Sequence, residues 1–332
     1  MKKIMNTAEG FVDESLQGLV TAYGDMIRFA ESDSRAIIRA DAKTKNKVSI
    51  ITGGGYGHIP TFMGYVGEGF VDGCAIGNVF TSPSAQSIAD AALETETGEG
   101  VLFLFANYVG DCLNFDMAKE LLEFEDIDVR IVKASDDVAS ADKENRDGRR
   151  GIAGIYFAYK TAGAKAESGA SLEEVAAVAE KACERTSTVG FAFSPCMVPG
   201  RNAPVFELAD DEMELGMGIH GEPGISRTKL KTSAELSGEI VAMLAEDQEL
   251  GENDEAAILI NSLGGTSTEE LGVLCRDVKS QLDKRKINVF RIILGRYATS
   301  MEMQGASVSI FRLDDELKSL LTAPAKTPFI TV

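Results

Sequence analysis

The 332 residues, 44% hydrophobic and 26% charged, are enough for two domains with sizeable buried cores, in proportions ordinary for a globular enzyme. The net charge of −19 excludes nucleic-acid binding without a concentrated basic patch, and the runs Lys43–Lys47 and Arg146–Arg150 are mixed with or flanked by acids. No apolar run is long enough to span a bilayer, and MKKIMNTAEGF has no apolar stretch behind its lysines, so neither a membrane nor a secretory signal is expected, and the expected location is the cytoplasm.

Residues 7–31 read as an amphipathic helix with Phe11, Leu16, Leu19, Val20, Tyr23, Ile27 and Phe29 among its apolar positions. VSIIT (48–52) is a β-branched run that enters glycines, a strand feeding a turn. GCAIG (73–77), VLFLFAN (101–107) and VRIVKA (129–134) are further strands separated by helical stretches, a pattern that predicts a mainly parallel sheet covered by helices. Two helices follow over 150–185, the second opened by Ser171 with Glu174 three residues on, a capping box.

The character changes near Thr186. TVGFAFS (188–194), VFELA (205–209) and ELGMGIH (214–220) read as short strands too close together for helices between them. A helix over 233–247, a strand at 256–261, a helix through 268–285 and strands at 289–295 and 307–313 complete a smaller α+β domain. The expected division is an N-terminal α/β domain over 1–185 and a C-terminal α+β domain over 186–332, with the tail APAKTPFITV packing back on the first domain.

The five cysteines (Cys74, Cys112, Cys183, Cys196, Cys275) include no CxxC pair and read as reduced, buried structural thiols. The two histidines, His58 and His220, exclude a multi-histidine metal site, and no metal is expected. Both sit among glycines. ITGGGYGHIP (51–60) places His58 where a dinucleotide fingerprint would have its third glycine, and no Walker lysine follows. Glycines there allow close backbone approach to a ligand and leave amides free to donate; the bland alternative is a tight turn with a hydrogen-bonded histidine. ANYVGDCLNF (106–115) puts Asp111 just past a strand's carboxyl end, where α/β sheets bind ligands. By itself an aspartate after glycine reads more simply as a helix N-cap. GMGIHGEPG (216–224) ends a strand on His220 and turns on Gly221, Pro223 and Gly224, with Glu222 able to orient a ring nitrogen.

Together GGGYGH (53–58), FTSP (80–83), NYVGD (107–111), GRRG (148–151), GIHGEPG (218–224) and LGGT (263–266) resemble, in order and spacing over nearly the whole chain, the substrate-binding subunits of the dihydroxyacetone kinases. The resemblance implies that His220 attacks the carbonyl carbon of a short ketose to form a hemiaminal. It implies that His58 and Asp111 contact substrate hydroxyls and assist phosphoryl transfer, with backbone around Gly55 also at the substrate. Tyr56, Gly57 and Ala106 belong to the same expected pocket. It implies no cofactor on this chain: the nucleotide, ATP or a bound ADP with Mg rephosphorylated by the phosphotransferase system, sits on a separate all-helical module. A chain ending at Val332 leaves no room for that module, so a partner subunit is expected, in an assembly whose ketose-binding subunit is a homodimer.

Three positions depart from the family pattern. Tyr56-Gly57-His58-Ile59-Pro60 stands for Ser-Gly-His-Glu-Pro, Ala106 for a substrate-contacting lysine, and Gly77-Asn78 for Gly-Glu. Chemistry is expected to be retained and substrate choice altered. A ketose-sensing paralogue that coactivates a transcription regulator is the alternative; retention of His58 and Asp111 favours the enzyme.

Overall fold

The computed structural model describes residues 2–332. Its first sheet contains β1 (Ile27–Phe29), β2 (Ala36–Arg39), β3 (Ser49–Tyr56), β4 (Gly73–Val79), β5 (Val101–Ala106) and β6 (Val129–Ala134), in the lateral order β1-β2-β4-β3-β5-β6. β3 through β6 run parallel; β1 and β2 add an antiparallel edge. The strands are apolar on both faces because both are covered. On one face Ile51, Ala75, Phe103 and Phe105 meet α2 (Ala85–Leu93) and α3 (Val109–Glu123). On the other, Ile50, Leu102, Leu104 and Val132 meet α1 (Phe11–Ala22), α4 (Ile155–Glu167) and α5 (Leu172–Glu184). The Ser171–Glu174 capping box that opens α5 is formed in both directions.

The second sheet holds β7 (Thr186–Ser194), β8 (Glu212–Leu215), β9 (Ser226–Lys229), β10 (Glu255–Ser262), β11 (Asn288–Gly295) and β12 (Gln304–Arg312), ordered β11-β10-β12-β7-β8-β9. Only β10 and β11 pair in parallel. α6 (Ser233–Asp247) and α7 (Thr268–Lys284) cover one face through Leu236, Ile240, Leu271 and Val278. The other face turns Ala257, Leu259 and Phe311 toward α4, where Phe157 stacks on Phe311 at 4.6 Å. Helices α4 and α5 thus lie between two sheets and belong to both cores, which makes two α/β units with mixed sheets. α8 (Asp315–Thr322) is followed by the tail, whose Lys326 amide donates to the Glu68 carbonyl at 2.8 Å.

Several elements differ from expectation. The helix over 7–31 stops at Ala22, because Ile27–Phe29 pair with β2 instead of continuing the helical face. Residues 205–209 form no strand; Val205 and Phe206 pack instead over the turn at Gly221. β9 (SRTK) carries no apolar pattern, whereas α8, with Leu317, Leu320 and Leu321 at helical spacing behind the Asp314 cap, is legible in the sequence yet absent from the expected elements. Among the described residues no helix is long and apolar enough to cross a membrane, and the cysteines form no disulfide.

Candidate active site

The glycine segment is not a turn. β3 continues through Gly53, Gly54 and Gly55 to Tyr56, in parallel register with β4, so these residues serve the ladder rather than standing free as donors. Glycine is required because β4 and its following loop lie so close: a Cβ on Gly55 would stand 2.6 Å from the Thr81 amide nitrogen. The chain leaves the strand at Gly57, whose φ of +110° only glycine adopts freely. His58 follows, fully buried.

This loop is held by a segment 240 residues away. The Met301 amide donates to the Gly57 carbonyl (2.9 Å) and the Thr299 amide to the His58 carbonyl (3.1 Å). His58 Nδ1 lies 2.7 Å from the Thr299 carbonyl oxygen, which can only accept. The proton is therefore on Nδ1 and the lone pair on Nε2, and Nε2 has no partner among the described residues. Phe80, held at φ +58°, stacks on the ring at 4.8 Å. Burial, and then the charge of His220, lower the imidazole to about 3, so His58 is a neutral acceptor.

His220 does not close a strand. β8 ends at Leu215 because Gly216 takes φ +83°, and the chain doubles back through 216–224 until the Ile225 amide donates to the Leu215 carbonyl at 2.9 Å. Ser300 donates to the Ile219 carbonyl within the loop. Glu222 takes the His220 backbone amide on Oε2 and the ring Nδ1 on Oε1, both at 2.9 Å. Burial pushes the Glu222 carboxyl up, but the hydrogen bond and charge of His220, its own amide and Arg150 together hold it down at about 2. A carboxylate at Nδ1 keeps the proton there and leaves Nε2 as the free nitrogen. The His220 ring lies edge-on to His58 and to Tyr108, each at 4.8 Å between centroids, and to Phe80 at 5.4 Å.

Asp111 is not the cap of α3. Tyr108 holds the N-cap position without a side-chain bond, and Asp111 lies in the first turn, buried, with Oδ1 unpartnered among the described residues. Burial pushes its carboxyl up to about 6, against the pull of the Ser82 hydroxyl and His220. The Tyr108 hydroxyl is likewise buried and unpartnered, and burial drives its ionisation far above the ordinary range.

His58, His220 and Asp111 thus come together, with Gly55 and Gly57 shaping the loop beneath them. Tyr56 does not join them. Its hydroxyl is 2.5 Å from Ser15 Oγ, its ring packs on Phe11, and with Gly57 and Ile59 it lines a separate cleft of about 430 Å³ bounded by Ile4, Thr299 and Met301. Ala106, the last residue of β5, is buried beside Ala134 and Ala153 beneath Gly151. Phe80 and Tyr108 lie within FTSP and NYVGD, where nothing local marks them for a role, and Thr299 carries no sequence signal at all. Among the described residues no three His, Cys, Asp or Glu side chains converge as a metal set.

The Dak1 domain model matches residues 17–329. The chain is 40% identical to the dihydroxyacetone-binding subunit DhaK of PTS-dependent dihydroxyacetone kinase 2 from Listeria innocua over 332 residues, all of both chains. It is also 40% identical to the L-erythrulose 1-kinase of Mycolicibacterium smegmatis, covering 99% of this chain and 58% of that one. The crystal structure of the dihydroxyacetone kinase of C. freundii superposes with a TM-score of 0.90 at 32% identity, covering 98% of this chain and 59% of that chain.

Proposed function

The chain belongs to the Dak1 family of dihydroxyacetone-kinase substrate-binding subunits, and from that premise we propose that it holds a short ketose covalently on His220 while a nucleotide-bearing partner phosphorylates it. The observation that carries this reading is the set of buried polar atoms without protein partners beside one imidazole: His58 Nε2, Asp111 Oδ1 and the Tyr108 hydroxyl, around His220. Buried polar groups are normally paired, so such a set is suited to a ligand rich in hydroxyls.

In the proposed reaction the Nε2 lone pair of His220 forms a bond to the carbonyl carbon, and the carbonyl π pair moves to oxygen. The proton that Nδ1 releases past Glu222 is matched by the one the alkoxide oxygen takes up from solvent, so Glu222 stays ionised, no net proton is gained or lost and the adduct is neutral. Glycerol has no carbonyl and is refused. The fixed adduct presents a terminal hydroxyl for in-line transfer, the advantage of orientation. His58 Nε2 accepts from a substrate hydroxyl. Asp111, poised near neutrality, is the base for the hydroxyl that attacks the γ-phosphoryl group. The donor, ATP or bound ADP with Mg, belongs to the partner. The proposed assembly is a homodimer of this chain with helical nucleotide subunits.

We further propose a ketose larger than dihydroxyacetone. Ala106 stands where the family's lysine would reach substrate, which removes a donor. Tyr56 is no substitute, because its hydroxyl is engaged by Ser15. A lost hydrogen bond to substrate costs roughly 0.5–1.5 kcal/mol, which an added hydroxymethyl group can offset by making contacts of its own. The likeness to an erythrulose kinase points the same way. The test supplies a nucleotide-binding subunit of a two-component dihydroxyacetone kinase and compares ketoses. A higher kcat/KM for erythrulose than for dihydroxyacetone is expected, with Ala106→Lys shifting preference back. Preference for dihydroxyacetone would reject the larger substrate, and ketose capture without phosphorylation would favour the sensor.

A further inference from the structure

GRRG (148–151) has no part in the proposed chemistry, yet its second arginine reaches the carboxylate that holds His220. Arg150 Nε and Nη2 grip Asp137 Oδ2 at 2.9 and 2.8 Å, and Nη2 also donates to the Gly216 carbonyl at 3.2 Å. This leaves Nη1 directed at Glu222 Oε2, 3.9 Å away. Gly218 is what lets them meet: a Cβ there would stand 2.7 Å from Nη1 and closer still to Glu222 Oε2. A row of ionisable groups therefore runs from a nearly inaccessible Asp137, whose carboxyl burial pushes up to about 7 against the pull of Arg150, through Arg150 and Glu222 to His220 Nδ1.

The chemistry explains why a carboxylate alone would not suffice. A carboxylate on Nδ1 fixes the productive tautomer, but it also favours the doubly protonated ring, which has no lone pair at Nε2 and cannot attack a carbonyl. A guanidinium on the carboxylate's far oxygen draws off part of that charge. The carboxylate then still orients the ring without trapping it as a cation.

We propose that Arg150, braced by Asp137, is a positioning residue that acts through Glu222 to keep His220 neutral with Nε2 free. The value of that role rests on the hemiaminal reading, but the protonation claim can be read without substrate. The other ionisable groups facing the ring are His58 from the loop after β3 and Tyr108 and Asp111 from the start of α3; all three are unchanged in the Arg150 and Asp137 variants.

The test is a pH titration of the imidazole nitrogens by ¹⁵N NMR on the full chain. Its two histidines are assigned with His58→Asn. In wild type the neutral His220 ring should carry its proton on Nδ1. Arg150→Met should move the midpoint of His220 protonation up by about one pH unit, and Arg150→Lys should move it less. Where Asp137 is ionised, Asp137→Asn frees more of the arginine's charge for Glu222, so the midpoint should move down, by less than Arg150→Met moves it up, because burial holds the Asp137 carboxyl at about 7. These opposite signs are what a merely structural role would not produce, and Asp137→Asn retains the shape of the site if Arg150→Met misfolds. An unmoved midpoint in the variants, or shifts of one sign in both, would overturn the proposal. Intact mass after incubation with erythrulose separates the two claims. Adduct formation should follow the same midpoints, whereas shifted midpoints with no adduct in wild type would sink the hemiaminal reading and leave the charge row standing.

Discussion

Two buried groups in the site titrate in opposite senses, and each makes a stability prediction. His58 is neutral when folded down to about 3, whereas an unfolded chain's histidine takes its proton near 6.5. Between those values the unfolded state binds more protons, so the contribution of His58 is complete above about pH 6.5 and is lost as pH falls. From pH 6.5 to 5 this amounts to about 2 kcal/mol. Denaturant unfolding of His58→Asn across that range should show a flatter acid limb; an unchanged limb would contradict the buried neutral ring. Asp111 runs the other way. Its folded carboxyl keeps its proton up to about 6 while the unfolded one releases it near 3.8, so stability falls as pH rises through that window. Asp111→Asn should therefore stabilise the chain at pH 7.5 by roughly 1–3 kcal/mol while lowering partner-dependent turnover by ~10²–10⁴. A variant that loses both stability and turnover would mark Asp111 as structural. The identities of His58, His220, Asp111 and Glu222 as candidates were legible, because scarce histidines among glycines and an aspartate past a strand end are local signals. The partner that fixes the His58 tautomer was not, because Thr299 is 241 positions away in sequence.

At the scale of elements, patterned apolar runs were readable and irregular ones were not. β5 and β6 follow VLFLFA and VRIVKA closely, and α5 begins at its capping box. The glycine run reads as a loop in the sequence because glycine ordinarily weakens strands. Here three glycines stay in the strand because Ala75 of β4, the Phe62 ring and the Phe80–Thr81 backbone press against Gly53, Gly54 and Gly55 in turn, a fact of tertiary packing. Val205 and Phe206 misled in the opposite direction: apolar and β-prone, they cover the His220 turn instead of joining a sheet. The exit from β3 is where local backbone and chemistry meet most directly. Gly57→Ala places a side chain at φ +110° and 2.8 Å from the Phe80 ring that stacks on His58. It should cost about 1–3 kcal/mol in denaturant unfolding and slow adduct formation together with it. Wild-type stability and capture would show that this turn tolerates other conformations.

Over the whole molecule the site belongs to neither sheet alone. His58, Phe80, Tyr108 and Asp111 come from the carboxyl ends of the first sheet's strands, while His220, Glu222, Ser300 and the Thr299 carbonyl come from loops of the second. Helices α4 and α5, shared by both cores, set the distance between these halves. The two kinds of sheet were foreseeable from the spacing of strands and helices; the sharing of helices was not, because it depends on which face each strand turns inward. The central claim is that this junction makes a bond to substrate. Intact-mass measurement of the chain alone, with dihydroxyacetone or erythrulose, tests it most directly. The expected result is an added mass equal to one ketose, reversible on dilution, absent in His220→Ala, detectable in His58→Asn and absent for glycerol. An adduct that persists unchanged in His220→Ala, or none in wild type, would contradict it.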